Sequence, residues 1–158
     1  MRRTSMYVGL MICLCAPLLA TAQDPGRANG ERATQLASSV ERTIKVREPK
    51  WSLKSSDSEG PVSLRKWTLG PRNLELKIYV YDSPAEASKM LYAHGVFQVA
   101  MSQEMKDFGD EARFVAHEYF SWVGVRRGNM LAEVHGPGKE LSLSKRFAQH
   151  ALEKLQEK

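Results

Sequence analysis

Residues 74–81 alternate without a break: Leu74, Leu76, Ile78 and Val80 are apolar, and Glu75, Lys77, Tyr79 and Tyr81 between them are charged or aromatic-polar. Successive side chains of a strand point to opposite faces, so this pattern predicts a half-buried β-strand with one dry side. Such a strand needs partner strands and something apolar laid against its dry side, which restricts the chain to sheet-based folds. The next residues, Ser83-Pro84-Ala85-Glu86, read as a helix start. Ser83 serves as the cap, Pro84 takes the first helical position where no N–H is needed, and Glu86 completes a capping box. No proline interrupts the following residues, and Gly95 weakens a helix by only about 1 kcal/mol. The helix is therefore predicted to reach about Lys106, with Phe108-Gly109-Asp110-Glu111 opening a loop.

A second β region follows. Phe114 to Phe120 is strand-like, and Gly128-Asn129 lies between two further apolar runs, Trp122 to Arg127 and Met130 to His135. A two-residue turn at Gly128-Asn129 would pair Arg127 with Met130, Val125 with Ala132 and Val123 with Val134. The last two pairs make one apolar face, whereas a slip of one residue would set Val123 against Glu133. After Gly136-Pro137-Gly138, the four-residue spacing of Leu143, Phe147, Ala151 and Leu155 predicts a C-terminal amphipathic helix.

Upstream, Ala33, Leu36, Ala37 and Val40 predict a short helix over residues 31–42, preceded by a Pro- and Gly-containing leader at 23–30. Residues 43–70 are expected to hold two short strands, with the SSDSEGP stretch at 55–61 as an exposed turn. The fold class expected is α+β, a mainly antiparallel sheet with N-terminal, central and C-terminal helices packed on one face, in a single domain over residues 31–158.

Residues 1–22 are read as a secretory signal: Arg2 and Arg3, an apolar run from Tyr7 to Ala20, then Ala20-Thr21-Ala22. The apolar run is about 21 Å long as a helix, against about 30 Å of bilayer hydrocarbon, so no stable membrane anchor is expected after cleavage near Ala22. The general secretory route is favoured over twin-arginine export because Thr4-Ser5-Met6 lacks the continuation of that motif. Cys13 and Cys15 leave with the signal, which excludes disulfides and thiolate chemistry from a periplasmic or secreted mature form. Of 23 Lys and Arg, two lie in the signal, leaving 21 basic against 18 acidic side chains. That balance is too mild to imply a nucleic-acid partner.

Three constellations could carry chemistry. Glu133 and His135 share the polar face of the hairpin, with Gly124 and Trp122 opposite them, and His117 on the preceding strand could join them. Two imidazoles and a carboxylate are a common zinc set that leaves a position for an activated water. Met90, His94, Met101 and Met105 would fall on one stripe of the predicted long helix, a thioether–imidazole set that suits Cu(I) as well as it suits core packing. The third is aromatic and basic: Lys50-Trp51, Lys54, Arg65-Lys66-Trp67, and Tyr79 with Tyr81 beside Lys77. Two tyrosines at i and i+2 on an open sheet face make a platform for a saccharide, a peptide or a partner protein. The binding surface is accordingly expected at Tyr79, Tyr81, Lys77 and Trp67.

No nucleophile elbow, His-Glu-x-x-His, phosphate loop or dinucleotide glycine pattern occurs in the sequence, so no catalytic residue and no cofactor is assigned. The adjacent acids Asp110-Glu111 read as turn chemistry. The stretch from about Trp67 to Gly136, with Ser83-Pro84-x-Glu86-Ala87, Phe108-Gly109-Asp110-Glu111-Ala112 and Val125-Arg126-Arg127-Gly128-Asn129, resembles a group of small uncharacterised secreted bacterial proteins. That resemblance implies the α+β fold and an exported location. The expectation is a non-catalytic extracytoplasmic binding module. The alternatives are a metal-dependent hydrolase or metal binder using His117, Glu133 and His135, and a copper-handling protein using the methionine stripe.

Overall fold

The computed structural model of the chain describes residues 25–94 and 101–156. Helix α1 (Pro25–Arg47) leads into β1 (Ser52–Glu59), β2 (Val62–Leu69) and β3 (Arg72–Val80), then α2 (Pro84–Ala93). The strands β4 (Gln103–Glu104), β5 (Glu111–Ala116), β6 (Phe120–Arg127) and β7 (Met130–Pro137) follow, and α3 (Leu141–Leu155) closes the chain. The strands form one seven-stranded antiparallel sheet in the order β1-β2-β3-β7-β6-β5-β4. This is the expected α+β class. Two meanders, β1 to β3 and β4 to β7, join along the β3/β7 seam, where Leu76 faces Val134 and Ile78 faces Ala132.

The dry side forms as the alternation requires: Leu74, Leu76, Ile78 and Val80 are all buried. Helices α1 and α3 cover it, α1 through Ala33, Ala37, Val40 and Ile44, and α3 through Leu143, Phe147, Ala151 and Leu155. Phe147 takes Trp51 and Trp67 edge-on, at ring separations of 5.5 and 5.8 Å. Several polar side chains on this side are paired. Arg65 reaches Glu41 at 3.0 Å and Ser63 at 2.9 Å, and Ser121 shares a 2.8 Å hydrogen bond with Ser144.

The hairpin has the predicted register, Arg127↔Met130, Val125↔Ala132 and Val123↔Val134. Gly128 takes a positive φ of 58° and Asn129 does not, the type II′ pattern. Ser83 caps α2 by accepting from the Glu86 amide at 3.1 Å, and the Glu86 carboxylate reaches back to the Asp82 amide at 3.3 Å.

Several expectations are corrected. Residues 25–30 are helical rather than a leader, because Pro25 can start a helix and Gly30 packs so closely on Gly60 that a Cβ would lie 2.3 Å from its carbonyl oxygen. The helix also runs past residue 42 to Arg47, which makes Ile44 a helical core residue. Ser55 to Glu59 belong to a strand, and the turn shrinks to Gly60-Pro61. As the sheet's outer edge, β1 buries nothing, so polar residues suffice there; Lys54 and a bulge between Leu53 and Ser55 discourage pairing with a further strand. Helix α2 stops at Ala93, and Gln103–Glu104 pairs with Phe114 and Arg113 of β5 instead of continuing a helix to Lys106. Residues 95–100 of that predicted helix lie outside the described residues. Finally, α2 packs on the opposite face of the sheet from α1 and α3, through Ala87 and Leu91 against Trp122 and Leu131.

Candidate functional site

The face of the sheet beneath α2 gathers the polar residues of the two alternating strands. From β3 come Glu75, Lys77 and Tyr79, with Tyr81 just beyond, its amide held by the Asn129 carbonyl at 2.9 Å. From β7 come Leu131, Glu133 and His135, and from β6 come Trp122 and Gly124, in the register Trp122↔His135 and Gly124↔Glu133. Gly124 is required by close approach: a Cβ there would meet the Trp122 ring at 2.6 Å and Leu91 Cδ1 at 2.7 Å. Its bare backbone lets the indole lie flat and lets α2 settle on the sheet. His94 caps the C-terminal end of α2 and reaches over the same face.

Glu133 is the centre of this cluster, with a side chain only 5% exposed. Among the described residues the His94 ring faces it, with Nδ1 3.5 Å from Oε1. Lys77 stands opposite Glu133 in the strand register but turns its ammonium to Glu75 at 3.1 Å, and Lys66 holds the same carboxylate from the other side at 3.1 Å. Burial alone would raise the Glu75 pKa, and the two lysines outweigh it and hold the group below its ordinary value. Tyr79 packs on the His94 ring at 4.7 Å and stacks on Tyr81 at 6.0 Å with planes 10° apart. Burial first, and then the Glu133 carboxylate, push both tyrosine hydroxyls above their ordinary pKa. The His135 imidazole is lowered, chiefly by burial, with Glu133 and Glu75 opposing the shift and Lys77 reinforcing it. The Tyr81 hydroxyl and the Trp122 indole N–H are buried without a hydrogen-bond partner among the described residues.

Beside this cluster the face is open. A hollow of about 230 Å³ lies between Tyr79, Lys77, Val62, Leu64 and the Asp57–Glu59 end of β1. No family model, curated protein or solved structure matches this chain. Function has to be argued from the site itself. Of the cluster, Lys77 and Tyr79 line the hollow beside Val62 and Leu64, a cation and an aromatic ring next to an apolar wall that can hold a ligand.

Of the residues expected at a binding surface, Tyr79, Tyr81 and Lys77 share one face, but Tyr81 is a core residue there, 8% exposed beneath α2 against Leu91 and Trp122, and only Tyr79 and Lys77 line the hollow. Trp67 is not on that face: it pairs with Leu74, points to the dry side and is 2% exposed against Phe147. The zinc set is not assembled. His117 lies beyond the end of β5, its ring against Tyr119 and Phe120 at 5.5 and 5.4 Å, and among the described residues no group of three or more His, Cys, Asp or Glu is placed to hold a metal. The copper stripe disappears with the long helix. Met90 packs in the cluster under α2, Met105 against the main core, Met101 is exposed, and His94 turns to Glu133. Asp110 and Glu111, read as turn chemistry, instead tie β5 to the hairpin: they take Arg126 at 3.2 and 2.9 Å, Glu111 as the first residue of β5, and Asp110 also accepts the Gly128 amide at 2.7 Å. The contact that sequence reasoning missed is His94–Glu133. It joins a helix end to a strand with no local spacing to signal it.

Proposed function

We propose that this protein is an extracytoplasmic, non-catalytic binding module, exported by the general secretory route and cleaved near Ala22, whose ligand is a protein, peptide or saccharide taken up on the outer face of β2 and β3. The observation that carries this reading is the position of Tyr79. It lines the hollow with Val62, Leu64 and Lys77, and its ring is braced by Tyr81 and His94. A contact ring already fixed by its neighbours loses little freedom when a ligand arrives, and an aromatic so placed is the usual energetic anchor of an interface. Lys77 and Asp57 to Glu59 supply polar groups of both signs at the rim.

The test is a nuclear magnetic resonance titration of the chain from Gln23 onward with panels of oligosaccharides and short peptides. Ligands of this site should shift the amides of Val62, Leu64 and Tyr79, and Tyr79→Ala should weaken them by about 2 kcal/mol, roughly thirtyfold. Shifts confined to other faces, or affinities unchanged by Tyr79→Ala, would refute the assignment. Amino-terminal sequencing of the exported protein should begin at Gln23.

A further inference from the structure

A second cleft lies on the other side of the molecule, where the end of α1 meets the start of α3 and the β2–β3 turn. Its volume is about 460 Å³, within the range of small-molecule sites. Arg47, Lys50, Arg72 and Arg146 line it against Glu48 and Glu140, and Arg47 is also held by Glu153 at 2.7 Å from beside the lining, so the excess of positive charge rests on Lys50. The apolar part of the wall is Trp51, Leu69 and Leu143. The Arg72 guanidinium lies over the Trp51 ring at 5.6 Å, an arrangement that holds a cation beside an apolar plane.

The acids in the cleft are engaged differently. Glu48 is held twice, by Arg146 Nε at 2.5 Å and by His150 Nε2 at 3.5 Å. Among the described residues Glu140 meets Arg72 alone, at 3.0 Å, in a pair whose side chains are 42% and 47% exposed. Ion pairs that exposed contribute little and exchange readily. Lys50 makes no ion pair among the described residues. Helix α3 begins at the cleft with Glu140 as its N-cap residue, whose side chain turns to Arg72 and makes no cap hydrogen bond, and Ser142 of the first turn lines the wall. With Glu140 displaced, the positive end of the helix would add to the side-chain cations.

We propose that this cleft is a second binding site, for a small organic oxyanion whose carboxylate or phosphate group takes the place of Glu140 on Arg72, with Arg146 and Lys50 alongside, while an apolar ring lies against Leu69 beside the Arg72 guanidinium that covers Trp51. It is independent of the tyrosine face, because no residue is shared between the two hollows.

The test uses phenyl phosphate and benzoate as probes, titrated into the chain from Gln23 onward by calorimetry at low ionic strength. At least one should bind saturably, and the tighter of the two identifies the preferred oxyanion. Inorganic phosphate, without the ring, should bind about tenfold more weakly, and benzyl alcohol, without the charge, should not saturate. The double variant R72Q/R146Q should lose about tenfold or more in affinity, and E140Q, which removes the competing carboxylate, should gain several-fold. Arg72 and Glu140 form a surface ion pair, so R72Q and E140Q should leave thermal unfolding little changed; R146Q leaves Glu48, 14% exposed, with His150 alone, so the single variant R72Q should show the loss of affinity without a loss of stability. Tyr79→Ala should leave this binding intact, which separates failure here from failure at the tyrosine face. Absence of saturable binding by both aromatic anions at millimolar concentration would overturn the proposal, and so would undiminished affinity in R72Q/R146Q.

Discussion

Tyr81 offers a sharp test of how the face under α2 is built. Its ring is packed with Ala87, Leu91, Trp122 and Leu131, the residue is 8% exposed, and its hydroxyl has no hydrogen-bond partner among the described residues. A buried hydroxyl left without a partner forfeits its hydration, a penalty of about 1–3 kcal/mol. Tyr81→Phe removes the hydroxyl and leaves the ring, so the apolar contacts persist and the penalty vanishes. The expected outcome is a gain of about 1 kcal/mol, or about 3 °C in Tm for a domain of this size. Urea unfolding at pH 7.5 should show a higher midpoint with an unchanged slope, the sign of altered stability without altered compactness. Tyr79→Phe is the internal contrast. The Tyr79 hydroxyl lies under the influence of the Glu133 carboxylate, and its loss should be destabilising by about 0.5–1.5 kcal/mol. A loss of stability in Tyr81→Phe as large as that in Tyr79→Phe would mean that the Tyr81 hydroxyl has a partner, and the account of an unsatisfied donor on this face would fail.

Other expectations follow from the same packing. Burial lowers the His135 pKa in the folded chain, so between that value and the unfolded value near 6.5 the unfolded state binds more protons. Stability should then fall as pH drops below about 6.5, at no more than about 1.4 kcal/mol per pH unit, and His135→Gln should flatten that part of a urea-denaturation pH series. Gly124→Ala would drive a methyl into the Trp122 ring and Leu91; a loss of about 1–3 kcal/mol, with α2 amides exchanging faster in hydrogen exchange, is expected. Ser83→Ala removes the cap of α2 and should cost about 1 kcal/mol by thermal unfolding. Trp67→Ala opens the main core and should cost about 3–5 kcal/mol, well above Tyr79→Ala in the same assay.

The elements legible in the sequence are those whose cause is local. Alternation placed Leu74, Leu76, Ile78 and Val80 on one side and Tyr79 on the other, because a strand's side-chain period is independent of its neighbours. The turn at Gly128-Asn129 and the cap at Ser83 obey backbone chemistry within four residues, and both formed as read. The stripe of α3 did as well. Half of the candidate site was legible for the same reason: Glu133 and His135 share a face by spacing alone.

What the sequence left open depended on which strands become neighbours. Only the sheet order sets β7 beside β3, bringing Glu133 and His135 onto the face of Tyr79 and Lys77. His117, one residue past the end of its strand, is left with Tyr119 and Phe120. The polar run Ser55 to Glu59 became a strand because β2 offered it a ladder at an edge where nothing had to be buried. Gln103 and Glu104 became one because β5 offered the same. Helix α2 went to the opposite face from α1 and α3, where Gly124 leaves a flat bed for it, and that placement carried His94 to Glu133. Period and turn chemistry are properties of a few adjacent residues. Strand order and the side on which a helix lands are decided by burial summed over segments far apart in the chain, and no local pattern encodes that sum.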